Sequence, residues 1–212
     1  MMINEDLIKY MRTIQPARTE TYTKLEEIAI AEKIPIIPEE TGYFLRLICS
    51  LYKPQNILEV GTAIGYSTLW FHDNSEAQID TIEIDEDRVK RSRGLFADLG
   101  YDKRVRVHHG DANDILPTLA KQYNFDLVFI DAAKGQYKKY FQEIDAMTDK
   151  GSIVITDNVF FHGMVAGIKA PTKKLAPLVK KIQAYNHMLK NNDGWQTTFY
   201  SIGDGLSVSI KR

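Results

Sequence analysis

A chain of 212 residues, 44% of them hydrophobic, can build a sizeable core without disulfides or structural metals. Lys and Arg total 27 against 28 acids, so the net charge of -1 neither favours nor excludes nucleic acid. The charge is uneven, however: residues 157–212 hold eight Lys or Arg against three Asp, a net of +5 that leaves -6 upstream.

The stretch MMINEDLIKYMR mixes charges among its apolar residues, unlike a secretory signal, and no apolar run approaches the ~20 residues of a membrane span. A soluble cytoplasmic protein is expected, with no membrane partner. Residues 3–51 read as helices, because Leu25, Ile28 and Ala29 recur at helical spacing and residues 39–51 do the same after the IPIIP break. The only cysteine, Cys49, lies in the apolar run 42–52, which excludes an internal disulfide and predicts a buried, inert thiol. From residue 56 the texture changes. Short apolar runs at 56–60, 78–84, 104–109, 126–131 and 152–157 alternate with helical patterns at 66–72, 86–99, 112–121 and 136–147, the mark of a parallel sheet with crossover helices. A helix follows at about 172–189, then the runs WQTTFYSI and GLSVSIK, joined by a GDG turn that suggests an antiparallel pair at one sheet edge. One α/β domain results, with residues 1–52 as a helical extension and 53–212 as the sheet core.

ILEVGTAIGYS (57–67) reads as strand, glycine turn and helix start, where backbone can approach a ligand. Gly61 and Gly65 are spaced G-x-x-x-G, and Ala63 replaces the second glycine of a dinucleotide fingerprint. Glu59 suits a ligand carrying an ammonium and a sulfonium better than a diphosphate; a purely structural turn is the alternative. Glu83 ends the second strand, where a carboxylate can accept from ribose hydroxyls. Asp111 and Ala112 end the third, where an adenine would lie, although Asp111 serves equally well as a helix cap.

The most specific signal is FIDAAKGQY (129–137) with ITDNV (155–159). If these strands are neighbours, ~4.8 Å apart, Asp131, Asp157 and Asn158 converge at one edge. Two carboxylates and an amide suit Mg²⁺, Mn²⁺ or Ca²⁺, and nothing suits zinc, since the histidines show no ligand spacing. Motif by motif the chain resembles the cation-dependent O-methyltransferase family that includes catechol and caffeoyl-CoA O-methyltransferases, through IPEETGYFL (37–45), ILEVGTAIGYS, the acidic end of strand two, FIDAAKGQY, ITDNV and the terminal GDGL (203–206).

The resemblance implies a Rossmann-like class I methyltransferase fold: a mostly parallel seven-stranded sheet flanked by helices, with an antiparallel last strand. It implies S-adenosylmethionine held by Ile37, Glu59, Gly61, Tyr66, Ser67, Glu83, Asp111, Ala112 and Asp131. It also implies metal ligation by Asp131, Asp157 and Asn158, catalysis by Asp131 with Lys134 as base, and a homodimer. A chelating cation restricts the acceptor to a hydroxyl beside a second oxygen. Catechols qualify, and so does 5-hydroxyuridine through O5 and O4. DAAKGQY, FxxGxVA (160–166), AYNH (184–187) and GDGL resemble the bacterial branch that methylates 5-hydroxyuridine at the tRNA wobble position. Residues 158–192 contain six Lys and no acid, a rim on which Lys169, Lys173, Lys174, Lys180 and Lys181 are candidate RNA contacts in the anticodon loop. Phe160, Phe161 and Tyr185 are candidates to stack on a splayed base. A small catechol-like acceptor remains the alternative, and a non-catalytic nucleotide- or RNA-binding module a distant one.

Overall fold

A computed structural model describes residues 5–212, so residues 3 and 4 of the expected helical stretch lie outside the described residues. Three helices come first: α1 (Glu5–Ile14), α2 (Glu20–Glu32) and α3 (Glu39–Tyr52). An alternating series follows: β1 (Asn56–Val60), α4 (Tyr66–Asp73), β2 (Gln78–Glu83), α5 (Glu86–Asp98), β3 (Val105–His109), α6 (Ala112–Leu119), β4 (Leu127–Ile130), α7 (Tyr137–Asp145), β5 (Ile153–Thr156), α8 (Ala176–Lys190), β6 (Trp195–Tyr200) and β7 (Leu206–Lys211). A short 3-10 turn, Lys134–Gln136, precedes α7.

The seven strands form one sheet in the order β3-β2-β1-β4-β5-β7-β6. Strands β1 to β5 pair in parallel, and β7 runs antiparallel to both β5 and β6. The order reverses beside β1, where crossovers run to opposite faces and leave a crevice beyond the carboxyl ends of the strands.

Strand alternation divides the core. Ile57, Leu127, Phe129, Ile153 and Ile155 face one cluster with Leu45, Cys49 and Trp70. Leu58, Val60, Val128, Ile130 and Val154 face the other, with Leu116, Tyr140, Phe141 and Tyr185. Burial on both faces explains why these runs are continuously apolar. α3 is no loose extension, since Thr41, Gly42, Leu45 and Cys49 are buried and a methyl group at Gly42 would fall 2.1 Å from the Trp70 ring. α5 is capped by Asp85, whose side chain accepts from the N–H groups of Asp87 and Arg88, both at 3.0 Å.

Some boundaries move from their expected places. α8 starts at Ala176 rather than near 172, with Pro177 in its first turn, where the missing N–H costs nothing. α6 stops at Leu119, two residues early. Among the described residues no helix is long and apolar enough to cross a membrane.

Candidate active site

The carboxyl ends of β1, β2, β3, β4 and β5 open into one cavity of about 650 Å³, within the range of small-ligand sites. The turn after β1 forms its floor. Gly61 has φ +109, and a Cβ there would fall 2.3 Å from the Asp131 carbonyl oxygen, so only glycine allows the β1 and β4 ends to close together. The helix α4 then starts at Tyr66 and presents Ser67.

Of the expected donor residues, Ile37, Gly61, Tyr66, Ser67, Glu83, Asp111, Ala112 and Asp131 all line this cavity. Glu59 does not. It shares a β1 face with Ile57 and is wholly buried behind the wall, where Ser67, Thr68 (2.5 Å) and Thr81 (2.6 Å) donate hydroxyl hydrogen bonds to its carboxylate. Burial pushes its carboxyl up to about 7, against the pull of those three hydroxyls. Glu83 is also engaged: its carboxylate accepts from the N–H groups of Ala63 (2.8 Å), Ile84 (2.9 Å) and Asp85 (3.0 Å). A carboxylate offers about four acceptor sites, so roughly one is left for a ligand. Asp111 does both things expected of it, lining the cavity and capping α6 by accepting from Asn113 N–H at 2.8 Å. Tyr66 lines the cavity, and its hydroxyl is engaged by Glu26 and Arg18.

Asp131 and Asp157 each follow the last paired residue of their strands, Ile130 and Thr156, which are direct neighbours. Asn158 comes next, at φ +58, its N–H donating to Asp157 Oδ1 at 2.6 Å. Behind them the Tyr137 hydroxyl donates to the Asp157 carbonyl at 3.0 Å. All three expected ligands therefore line one wall, with Lys134 Nζ 3.8 Å from Asp131 Oδ1. Burial raises both carboxyls above the ordinary range, against the pull of Lys134, and repulsion from Asp131 raises Asp157 further. The hard oxygens of this pair, with the Asn158 amide, fit Mg²⁺. Among the described residues no three His, Cys, Asp or Glu converge as a ligand set.

Tyr185 is not available to stack on a base. It is 1% exposed, bonded to the Thr156 hydroxyl at 2.7 Å and packed edge-on against Tyr137. Phe161 is buried with Met164, Val179 and Ile182; only Phe160 stays partly open. The sequence reading passed over Pro35, Ile36, Pro38, Thr62, Arg88, Gln136, Tyr140, His162 and Asp204, all of which line the cavity. The acid inside GDGL was the one signal that pointed to Asp204.

A doubly wound sheet with a glycine turn after β1, an acid closing β2 and an open cavity over the switch point defines a class I S-adenosylmethionine-dependent methyltransferase. The chain belongs to the O-methyltransferase family, which it matches over residues 12–212. It is 31% identical over 186 residues to the catechol O-methyltransferase of Niastella koreensis, covering 84% of this chain and 82% of that one. To the caffeoyl-CoA O-methyltransferase of Populus kitakamiensis it is 26% identical, over 93% of this chain and 84% of the relative. Among solved structures, TomG of Streptomyces achromogenes, an O-methyltransferase in complex with S-adenosylmethionine, superposes with a TM-score of 0.86 at 26% identity, covering 100% and 99% of the two chains. The protein is thus an S-adenosylmethionine-dependent O-methyltransferase.

Proposed function

We propose that the protein methylates the 5-hydroxyl of 5-hydroxyuridine at wobble position 34 of tRNA, giving 5-methoxyuridine, with Mg²⁺ held by Asp131, Asp157 and Asn158. Mn²⁺ and Ca²⁺ satisfy the same donors. The observation that carries the tRNA reading is the exposed cationic segment that follows the proposed metal ligands in the chain. Lys169, Lys173, Lys174, Lys180, Lys181 and Lys190 are all exposed, and none is in an ion pair among the described residues. Lys181 lies against the catalytic turn: a methyl group on Gly135 would be 3.7 Å from its Nζ. Phosphates flanking a splayed nucleotide would meet those lysines.

In this reading Gly61, Tyr66 and Ser67 hold the methionine end of the donor, Glu83 gives its remaining acceptor site to the ribose, and Asp111 and Ala112 border the adenine. Ile37 closes the pocket over it. Glu59 acts from behind, fixing Ser67. A divalent cation, when bound, favours the ionised form of the acceptor hydroxyl. Lys134, within reach of Asp131, takes the acceptor proton at its Nζ. Transfer is an in-line displacement on the sulfonium carbon, so the walls must fix both reactants and exclude water, which would compete for the methyl group.

The names of the relatives favour a second reading, a small catechol as acceptor on the same apparatus. Incubation with labelled donor, Mg²⁺ and tRNA from cells lacking the protein, beside a catechol panel, separates the two. Label confined to catechols removes the tRNA assignment. We also read the protein as a homodimer, supported by Leu47 and Leu51 exposed on α3, which light scattering checks.

A further inference from the structure

We infer that Asp204 is a positioning residue for the acceptor, fixing the loop after β5 so that His162 contacts an acceptor oxygen outside the reacting pair. This rests on O-methyl transfer and not on which acceptor is used. Because β6 runs parallel to β5 and β7 returns beside it, the turn 203–205 lies at the same sheet edge as Asp157. Asp204 and His162 both line the cavity that Asp157 and Asn158 line.

The loop they share is strained. Asn158, Phe161, His162 and Gly163 have φ of +58, +43, +54 and +74, a left-handed series that side-chain-bearing residues adopt only when their surroundings impose it. The GDG turn imposes it. Val159 N–H donates to the Gly205 carbonyl and Phe160 N–H to the Asp204 carbonyl, both at 3.0 Å, and His162 N–H donates to Asp204 Oδ1. Phe160 covers the turn so closely that a Cβ on Gly205 would fall 2.3 Å from its ring. On its other side, a Cβ on Gly203 would fall 2.9 Å from Pro38 and from the Thr41 hydroxyl. The turn therefore links the donor wall to the acceptor loop.

The buried second oxygen of Asp204, Oδ2, lies 3.5 Å from His162 Nδ1 and has no hydrogen bond among the described residues. The carboxylate thus faces the Nδ1 edge of an imidazole that is 67% exposed and belongs to the cavity lining. No function already described uses either group.

The test compares Asp204→Ala, Asp204→Asn, His162→Ala and the double variant Asp204→Ala/His162→Ala, with the acceptor that the transfer screen identifies. Asp204→Ala and His162→Ala are each expected to raise the acceptor KM roughly 10-fold, the loss of one charge-assisted hydrogen bond, with kcat changed less. The dissociation constant of S-adenosylhomocysteine should stay within about twofold, and the double variant should be no worse than Asp204→Ala. Asp204→Asn keeps an acceptor for the His162 N–H and should recover part of the loss. A native KM in His162→Ala, additive effects, or donor affinity falling in parallel with acceptor affinity overturns the inference. Should Asp204→Ala fail to fold, Asp204→Asn with His162→Ala completes the same cycle. If neither tRNA nor catechols accept label, the acceptor assignment falls; calorimetric binding of a nitrated catechol with Mg²⁺ then reads the same comparison as dissociation constants.

Discussion

Glu59, Asp131 and Lys134 carry separable consequences. The Glu59 carboxyl moves from its ordinary 4.5 to about 7 on folding, so between those values the folded chain binds the extra proton. Its contribution is therefore complete below 4.5 and is lost as pH rises through about 7, with an upper limit of roughly 3 kcal/mol. Denaturant titrations of the donor-free protein should show stability declining across that window, and Glu59→Gln should flatten the decline; an unchanged slope would refute the assignment. Asp131→Ala should leave the melting transition near native while removing most Mg²⁺-dependent methyl transfer, and full activity of the native protein in EDTA would contradict the metal reading. Lys134→Met should reduce kcat by roughly 100-fold if the amine takes the acceptor proton. Retained kcat would move that role elsewhere.

At the scale of elements, the turn after β1 is the least tolerant segment. Gly61→Ala combines a positive φ with a Cβ 2.3 Å from backbone of β4, and should cost at least about 3 kcal/mol in unfolding experiments. A near-native midpoint would show that the β1 and β4 ends can separate. The strand ends were legible in the sequence because a two-face-buried strand is a short apolar run, and an acid closing it is visible as such. Asp131, Asp157 and Asn158 needed only the further assumption that β4 and β5 are neighbours. The position of Glu59 was encoded too, since period two puts it on the face of Ile57, but a strand read as wholly apolar gives no reason to ask which face. Tyr185 failed as a stacking candidate for the converse reason: a single aromatic on α8 can satisfy its hydroxyl on Thr156 only by turning into the core. The contact of Asp204 with His162 spans 42 residues and follows from the register of β7 on β5, which no local pattern prints.

Over the whole molecule, charge separates by position. The region after Asp157 is net positive while the rest is net negative, and the lysines of residues 158–192 are exposed. Replacing Lys173 and Lys174 together by Ala should weaken tRNA binding and lower the slope of log K against log salt by about 1 to 2, with catechol kinetics barely changed. An unaltered slope in filter-binding titrations would remove the argument for those lysines as RNA contacts. The antiparallel placement of β7 has a consequence for synthesis. Strand β5 is flanked on one side by β4, made shortly before it, and on the other by β7, made last of all the strands. During translation the donor cleft can assemble while the outer flank of β5 stays bare, so a chain stalled before residue 206 should capture S-adenosylmethionine yet methylate nothing.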